Sequence, residues 1–167
     1  MHSRWHDPIC VTMVLLVTAC ASNSIGIDAK APIISRQTIY IDAPVHRVWA
    51  LQVDLANWPS WRPQFEYARL DGKLAVGTTL RWRRKGSEEL AATIRQVIPD
   101  RRIVWQGTAS GINAIHVWTF KPARDGVIVS TEESWTGSTD VQGAQVRLDA
   151  SLKQWLAELK RRAEAAR

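Results

Sequence analysis

The sequence predicts an α+β domain, in which a curved antiparallel sheet of about six to seven strands wraps around one long C-terminal helix, with two short helices after the first strand. Three observations predict it. Residues 39–61 pass from an alternating strand into a proline-started helix and then a tryptophan–proline corner. Residues 65–135 hold a series of short segments with period-two alternation. After Gly137 the period becomes helical and stays so to the end of the chain.

In order, a strand is expected over 34–41, with Ile39 and Ile41 on one face and Thr38 and Tyr40 on the other. Asp42 offers an oxygen to free backbone N–H groups, and Pro44 suits a first helical turn because its missing N–H costs little there. Val45, Val48 and Trp49 then form one apolar helical stripe. Asp54 is placed to cap a second, very short helix, which Trp58-Pro59 is expected to end at once. A strand over 65–70 leads to Asp71-Gly72, read as a hairpin turn. The strand over 79–85 puts Leu80 and Trp82 on one face and Arg81, Arg83 and Lys85 on the other. The next, 90–98, groups Leu90, Ala92, Ile94 and Ile98. Further strands over 102–108, 112–121 and 127–135 gather Ile103 with Trp105, His116 with Trp118 and Phe120, and Val129, Thr131, Glu133 with Trp135. Val141, Leu148, Leu152, Trp155, Leu156, Leu159 and Ala163 form the stripe of the closing helix, capped by Asp140 or Ser138.

Composition narrows the class. Hydrophobic residues make up 46% and charged residues 23%, a globular balance. Nine tryptophans beside two tyrosines and two phenylalanines suggest a large aromatic interior. A net charge of +6 is compatible with nucleic acid or an anionic membrane, but is read first as a solvated basic surface, and no nucleic-acid partner is expected. Both cysteines, Cys10 and Cys20, lie in the first 20 residues, so the body has no disulfide framework, cysteine nucleophile or cysteine metal site.

Residues 1–20 read as an export signal: Arg4 and two histidines precede an apolar run over 9–17 that is too short to span a bilayer. Val17-Thr18-Ala19-Cys20 resembles the bacterial lipobox, which implies lipidation at Cys20 and anchoring in an envelope membrane. Ala21 after the cysteine points to the periplasmic face of the outer membrane. Ordinary cleavage after Ala21 is the alternative. Residues 21–32 are expected to be a flexible tether, and 33–167 the folded, ligand-binding domain.

Two sets of residues carry a family resemblance: Ala43-Pro44, Val48-Trp49, Asp54 and Trp58-Pro59-Ser60-Trp61, then His116, Trp118, Phe120, Pro122, Gly126 and Glu132-Glu133-Ser134-Trp135 with Gly137. Over about residues 33–165 the chain resembles the START-like, polyketide cyclase/dehydrase superfamily, with its helix-grip fold. The resemblance implies an apolar cavity between sheet and helix, and it is weak for activity because the superfamily holds carriers, cyclases, hydrolases and simple binders.

On that resemblance, Trp49, Trp58, Trp61, Trp82, Trp105, Trp118 and Trp135 are candidate cavity walls, or plain core; Trp58 and Trp61 sit on a corner suited to a lid. Alternation puts His116 and Glu133 on the inner faces of adjacent strands, opposite or diagonal according to register. Such a pair is either an acid–base and orienting group or a structural hydrogen bond in the cavity wall. Arg84, on the Trp82 face, is placed to balance Glu133; were the strand phase shifted, Glu132 would face inward instead. No cofactor is expected, and two body histidines make a histidine-rich metal site unexpected. Gly107–Gly111 misses the nucleophile-elbow spacing by one residue, and no phosphate-cradling glycine motif is present.

Three functions follow as expectations. The first is a membrane-tethered binder or carrier of a hydrophobic small molecule or lipid, with the Arg81-Arg83-Lys85 stripe against anionic headgroups. The second is a cofactor-free cyclase or dehydratase using His116 as acid–base. The third is a structural envelope protein without a ligand. Nothing in the sequence sets an oligomeric state.

Overall fold

The computed structural model describes residues 25–165, so the leader, Cys20 and the start of the expected tether lie outside the described residues. Seven strands form one antiparallel sheet: β1 (Ile33–Ile41), β2 (Phe65–Leu70), β3 (Thr79–Arg84), β4 (Glu89–Ile98), β5 (Arg102–Ala109), β6 (Ile112–Pro122) and β7 (Val127–Thr136). Their spatial order is β1-β7-β6-β5-β4-β3-β2, six sequential strands with β1 returned beside β7. Helices α1 (Val45–Val53) and α2 (Trp58–Trp61) flank a 3-10 turn at Leu55–Asn57, and α3 (Val141–Glu164) closes the fold. The inward residues of the sheet and the stripe on α3 face each other, which is the helix-grip arrangement. Among the described residues no helix is long and apolar enough to cross a membrane.

Several expectations change in detail. Trp58-Pro59 does not end a helix: the 3-10 turn runs directly into α2, with Pro59 in its first turn, where no N–H is required. Pro44 occupies the cap position of α1, and Asp54, at the cap position of the 3-10 turn, makes no side-chain capping hydrogen bond. The Asp42 backbone N–H donates to Glu164 Oε1 at 2.9 Å, tying the end of β1 to the end of α3. Asp71-Gly72 opens a longer connection over 71–78 rather than a two-residue turn. In β4 the register slips between Ile94 and Gln96, which turns Val97 toward the core and leaves Ile98 40% exposed. Val141 is exposed rather than part of the buried stripe, because α3 first meets the sheet at Ala144. Asp140 caps α3 by accepting from the Gly143 N–H at 2.9 Å. From Ile25 onward the segment expected as a tether lies along the sheet: Arg102 Nη2 donates to the Ile25 carbonyl at 2.8 Å, and the Asp28 N–H donates to Ser134 Oγ at 3.0 Å.

Candidate functional site

The buried apolar residues fall into two groups. The larger holds Trp58, Phe65, Trp105, Trp118, Trp155 and their neighbours; the smaller is Ile33, Ala144, Leu148 and Leu152, with Trp135 against it. Between the sheet and α3, a cavity of about 690 Å³ is lined from both groups. Its volume falls in the usual range for small-molecule sites, about 300–1,000 Å³. Small residues on the strands leave this room: Ala91, Ala92, Gly107, Ala109 and Ala114 all line it. Gly107 is required there, because an added Cβ would lie 2.4 Å from the Ala91 carbonyl oxygen and force β4 and β5 apart.

Of the seven candidate tryptophans, Trp58, Trp82, Trp105 and Trp135 line the cavity. Trp49, Trp61 and Trp118 do not; they are packed into the core. Trp49 sits edge-on to Phe120 at 5.3 Å, and Trp118 lies 5.1 Å from Trp155 between ring centroids. Trp155, which the sequence places only in the helical stripe, is a fifth tryptophan of the cavity wall and the centre of the aromatic cluster. Its position three residues after Leu152 was the available signal, since that spacing keeps it on the face turned to the sheet.

His116 and Glu133 stand directly opposite each other in the β6–β7 register, both lining the cavity, while Glu132 turns outward and pairs with Arg36 at 2.8 Å. Together with their neighbours they form a hydrogen-bonded chain. Trp135 Nε1 donates to Glu133 Oε1 at 2.7 Å, Glu133 Oε2 lies 3.1 Å from His116 Nδ1, and His116 Nε2 lies 2.7 Å from Thr131 Oγ1. Both ring nitrogens and both carboxyl oxygens therefore have partners inside the protein. Burial drives both groups toward their uncharged forms: Glu133 is pushed up to about 7, and His116 down to about 3 with a further push from the Arg62 charge. With both neutral, the carboxyl O–H donates to Nδ1 and the Nε2–H donates to Thr131.

These shifts make stability depend on pH in opposite senses. Between 4.5 and about 7 the folded chain keeps a Glu133 proton that the unfolded chain has lost, so this contribution falls as pH rises. Between about 3 and 6.5 the unfolded chain gains a His116 proton that the folded chain refuses, so this one grows as pH rises. Glu133→Gln removes only the first. Its urea midpoint, relative to that of the unsubstituted chain, is expected to climb with pH from 4.5 to about 7. A difference that stays flat across that window would show that the Glu133 carboxyl is not raised.

A second polar cluster, for which the sequence holds little local signal, lies against the Trp155 ring. Arg62 Nε donates to Glu158 Oε2 at 2.9 Å with both side chains almost fully buried, and the guanidinium lies 3.7 Å from the Trp155 ring centroid. Gln154 and Gln64 donate to the same carboxylate at 2.8 and 3.0 Å. Desolvation lowers the Arg62 pKa to about 9, against the opposing pull of Glu158. The outer stripe is less basic than its sequence suggests: Arg81 pairs with Asp71 and Glu89 at 2.7 and 3.1 Å, and Arg83 with Glu66 at 3.7 Å. Among the described residues no group of three or more His, Cys, Asp or Glu side chains is arranged to hold a metal ion.

No curated protein matches the chain in sequence. Solved structures share its fold. A protein from Mesorhizobium loti, MLL2253, superposes with a TM-score of 0.69 at 14% identity, over 80% of this chain and 98% of that one. A START superfamily protein from Mycobacterium smegmatis gives 0.68 at 14% identity, over 80% and 99%. The di-domain aromatase/cyclase StfQ of the steffimycin biosynthetic pathway gives 0.67 at 16% identity, over 80% of this chain and 51% of that one. The family described as polyketide cyclase / dehydrase and lipid transport matches residues 32–164, four-fifths of the sequence, and the chain belongs to that family.

Proposed function

We propose that the chain is a binding or carrier protein for a hydrophobic small molecule or lipid, held at a bacterial envelope membrane through lipidated Cys20. The observation that carries the binding reading is the cavity of about 690 Å³ with five tryptophans in its wall. Burying an apolar ligand there removes it from water at about 25 cal/mol per Å². The closed chain Trp135–Glu133–His116–Thr131 supports binding over catalysis. A general acid–base group needs a nitrogen or oxygen within reach of substrate, and each one here is already hydrogen-bonded within the protein. The family description and the likeness to an aromatase/cyclase are what favour the second reading, a cofactor-free cyclase or dehydratase. The anchor rests on the sequence around Cys20 alone.

The test uses the full chain and its Cys20→Ala form. Native mass spectrometry of the Cys20→Ala chain is expected to show a discrete copurifying hydrophobe, or one-to-one uptake of the neutral dye N-phenyl-1-naphthylamine. The unsubstituted chain is expected in the membrane fraction with added acyl mass on Cys20, and the variant in the soluble fraction. No uptake of any apolar compound by a folded chain would rule out the carrier and leave a structural role. Turnover abolished by His116→Ala with binding retained would establish the enzyme.

A further inference from the structure

We propose that Arg84, with Ser151, receives a single acidic group on the ligand, so that hydrophobes bind with the apolar body inward and a carboxylate, sulfonate or phosphate monoester at the mouth. This rests on the reading of the cavity as a hydrophobe site and adds the ligand's charge and orientation to it.

Strand β3 carries three arginines with different fates. Arg81 and Arg83 turn to the convex face, where Asp71, Glu89 and Glu66 balance them. Arg84 turns to the cavity and lines it. No carboxylate among the described residues forms an ion pair with it; its Nη2 donates to Ser151 Oγ of α3 at 3.1 Å, and its guanidinium lies 5.6 Å from the Phe65 ring centroid. A guanidinium has five N–H donors in a fixed fork, so most of this one remains open to a partner.

The other charged groups in the cavity wall do not supply that partner. Arg147, the second cation there, is tied to Asp140 at 3.1 Å. Glu88 lines the mouth without pairing with Arg84. Glu133 feels the Arg84 charge, but its oxygens are committed to Trp135 and His116, and burial favours its protonated form. A ligand acid placed at the inner end would face the Glu133 oxygens among apolar walls, where an unpaired charge is costly. At the mouth it meets an open guanidinium in contact with solvent, held in place by Ser151. Charge and shape therefore agree on one orientation.

Two dyes with the same aromatic skeleton separate the terms: 1-anilinonaphthalene-8-sulfonate carries one sulfonate, and N-phenyl-1-naphthylamine carries none. Both are titrated by fluorescence against the full chain in its Cys20→Ala form. The sulfonate is expected to bind more tightly than the neutral dye. Arg84→Gln is expected to weaken the sulfonate about tenfold, the scale of one charge-assisted contact, and the neutral dye less than about twofold. Ser151→Ala should lower the ratio by less, since it loosens the guanidinium without removing it. Arg83→Gln removes the same charge from the convex face and is expected to leave the ratio unchanged. An unchanged ratio in Arg84→Gln overturns the proposal, as does an equal fall in Arg83→Gln or an equal loss of both dyes. If neither dye binds the Cys20→Ala chain and no hydrophobe copurifies with it, the hydrophobe reading fails with the proposal. If the neutral dye binds and only the ratio fails to respond, the acid receptor alone is wrong.

Discussion

Glu158→Ala is expected to destabilise the domain by about 3–5 kcal/mol, read as a large fall in the urea or thermal midpoint. Arg62 is 1% exposed and Glu158 5%, so their pairing takes place almost wholly out of water. Without the carboxylate, the guanidinium would remain beneath the Trp155 and Phe65 rings, at 3.7 and 4.4 Å from their centroids, with no counter-charge. Gln64 and Gln154 would lose the acceptor they share. The cost comes from stranding one charge, not from the strength of the pair. The double substitution Arg62→Met with Glu158→Leu should accordingly recover much of the loss, because two charges leave together and apolar volume replaces them. If the double variant is no more stable than Glu158→Ala, the pair contributes through its hydrogen bonds rather than through charge balance.

The second large effect separates core from cavity wall. Trp118 is fully buried, lies 5.3 Å from the His116 ring and does not line the cavity. Trp118→Ala should cost about 3–5 kcal/mol while leaving the affinity of the folded fraction for N-phenyl-1-naphthylamine within about twofold. Trp105 is also buried, 4.9 Å from His116, but forms part of the wall. Trp105→Ala should lower both stability and dye affinity, the latter about tenfold. Should Trp118→Ala not fold, Trp118→Phe serves the same comparison with a smaller void. Equal affinity losses at the two positions would mean that the wall does not run where the structure puts it.

The succession of strands along the chain, the closing helix and the inward faces of His116 and Glu133 were legible because alternation and helical period act within one segment. Turn chemistry and bulges were less so. A single extra residue at Arg95 reverses the faces of Val97 and Ile98, and no local pattern in β4 announces it. Division of the tryptophans between core and cavity also escaped the sequence. Trp118 and Trp105 have the same alternation signal, and what separates them is the space left where small residues of neighbouring strands, such as Ala92, Gly107 and Ala114, come together in the sheet. The Arg62–Glu158 pair joins the residue that ends α2 to α3 across 96 positions, which no motif spans. A partial signal existed in Glu158 itself: it falls three residues after Trp155, on the buried side of an otherwise apolar stripe, and a carboxylate there requires a cation.

Helix α3 has two unequal halves. Trp155, Leu156, Leu159 and Ala163 are set in the larger apolar group, whereas Ala144, Leu148 and Leu152 share a small one with Ile33. The N-terminal half borders the cavity through Arg147, Leu148 and Ser151, and Trp155 continues the same wall. The N-terminal half makes up part of the difference with polar ties to β1: Gln145 accepts from the N–H and donates to the carbonyl of Ile34, at 3.2 and 3.0 Å, and Ser35 Oγ donates to Asp149 at 2.5 Å. A guest held by Arg84 and Ser151 would join that N-terminal half to β3 and so add to its hold on the sheet.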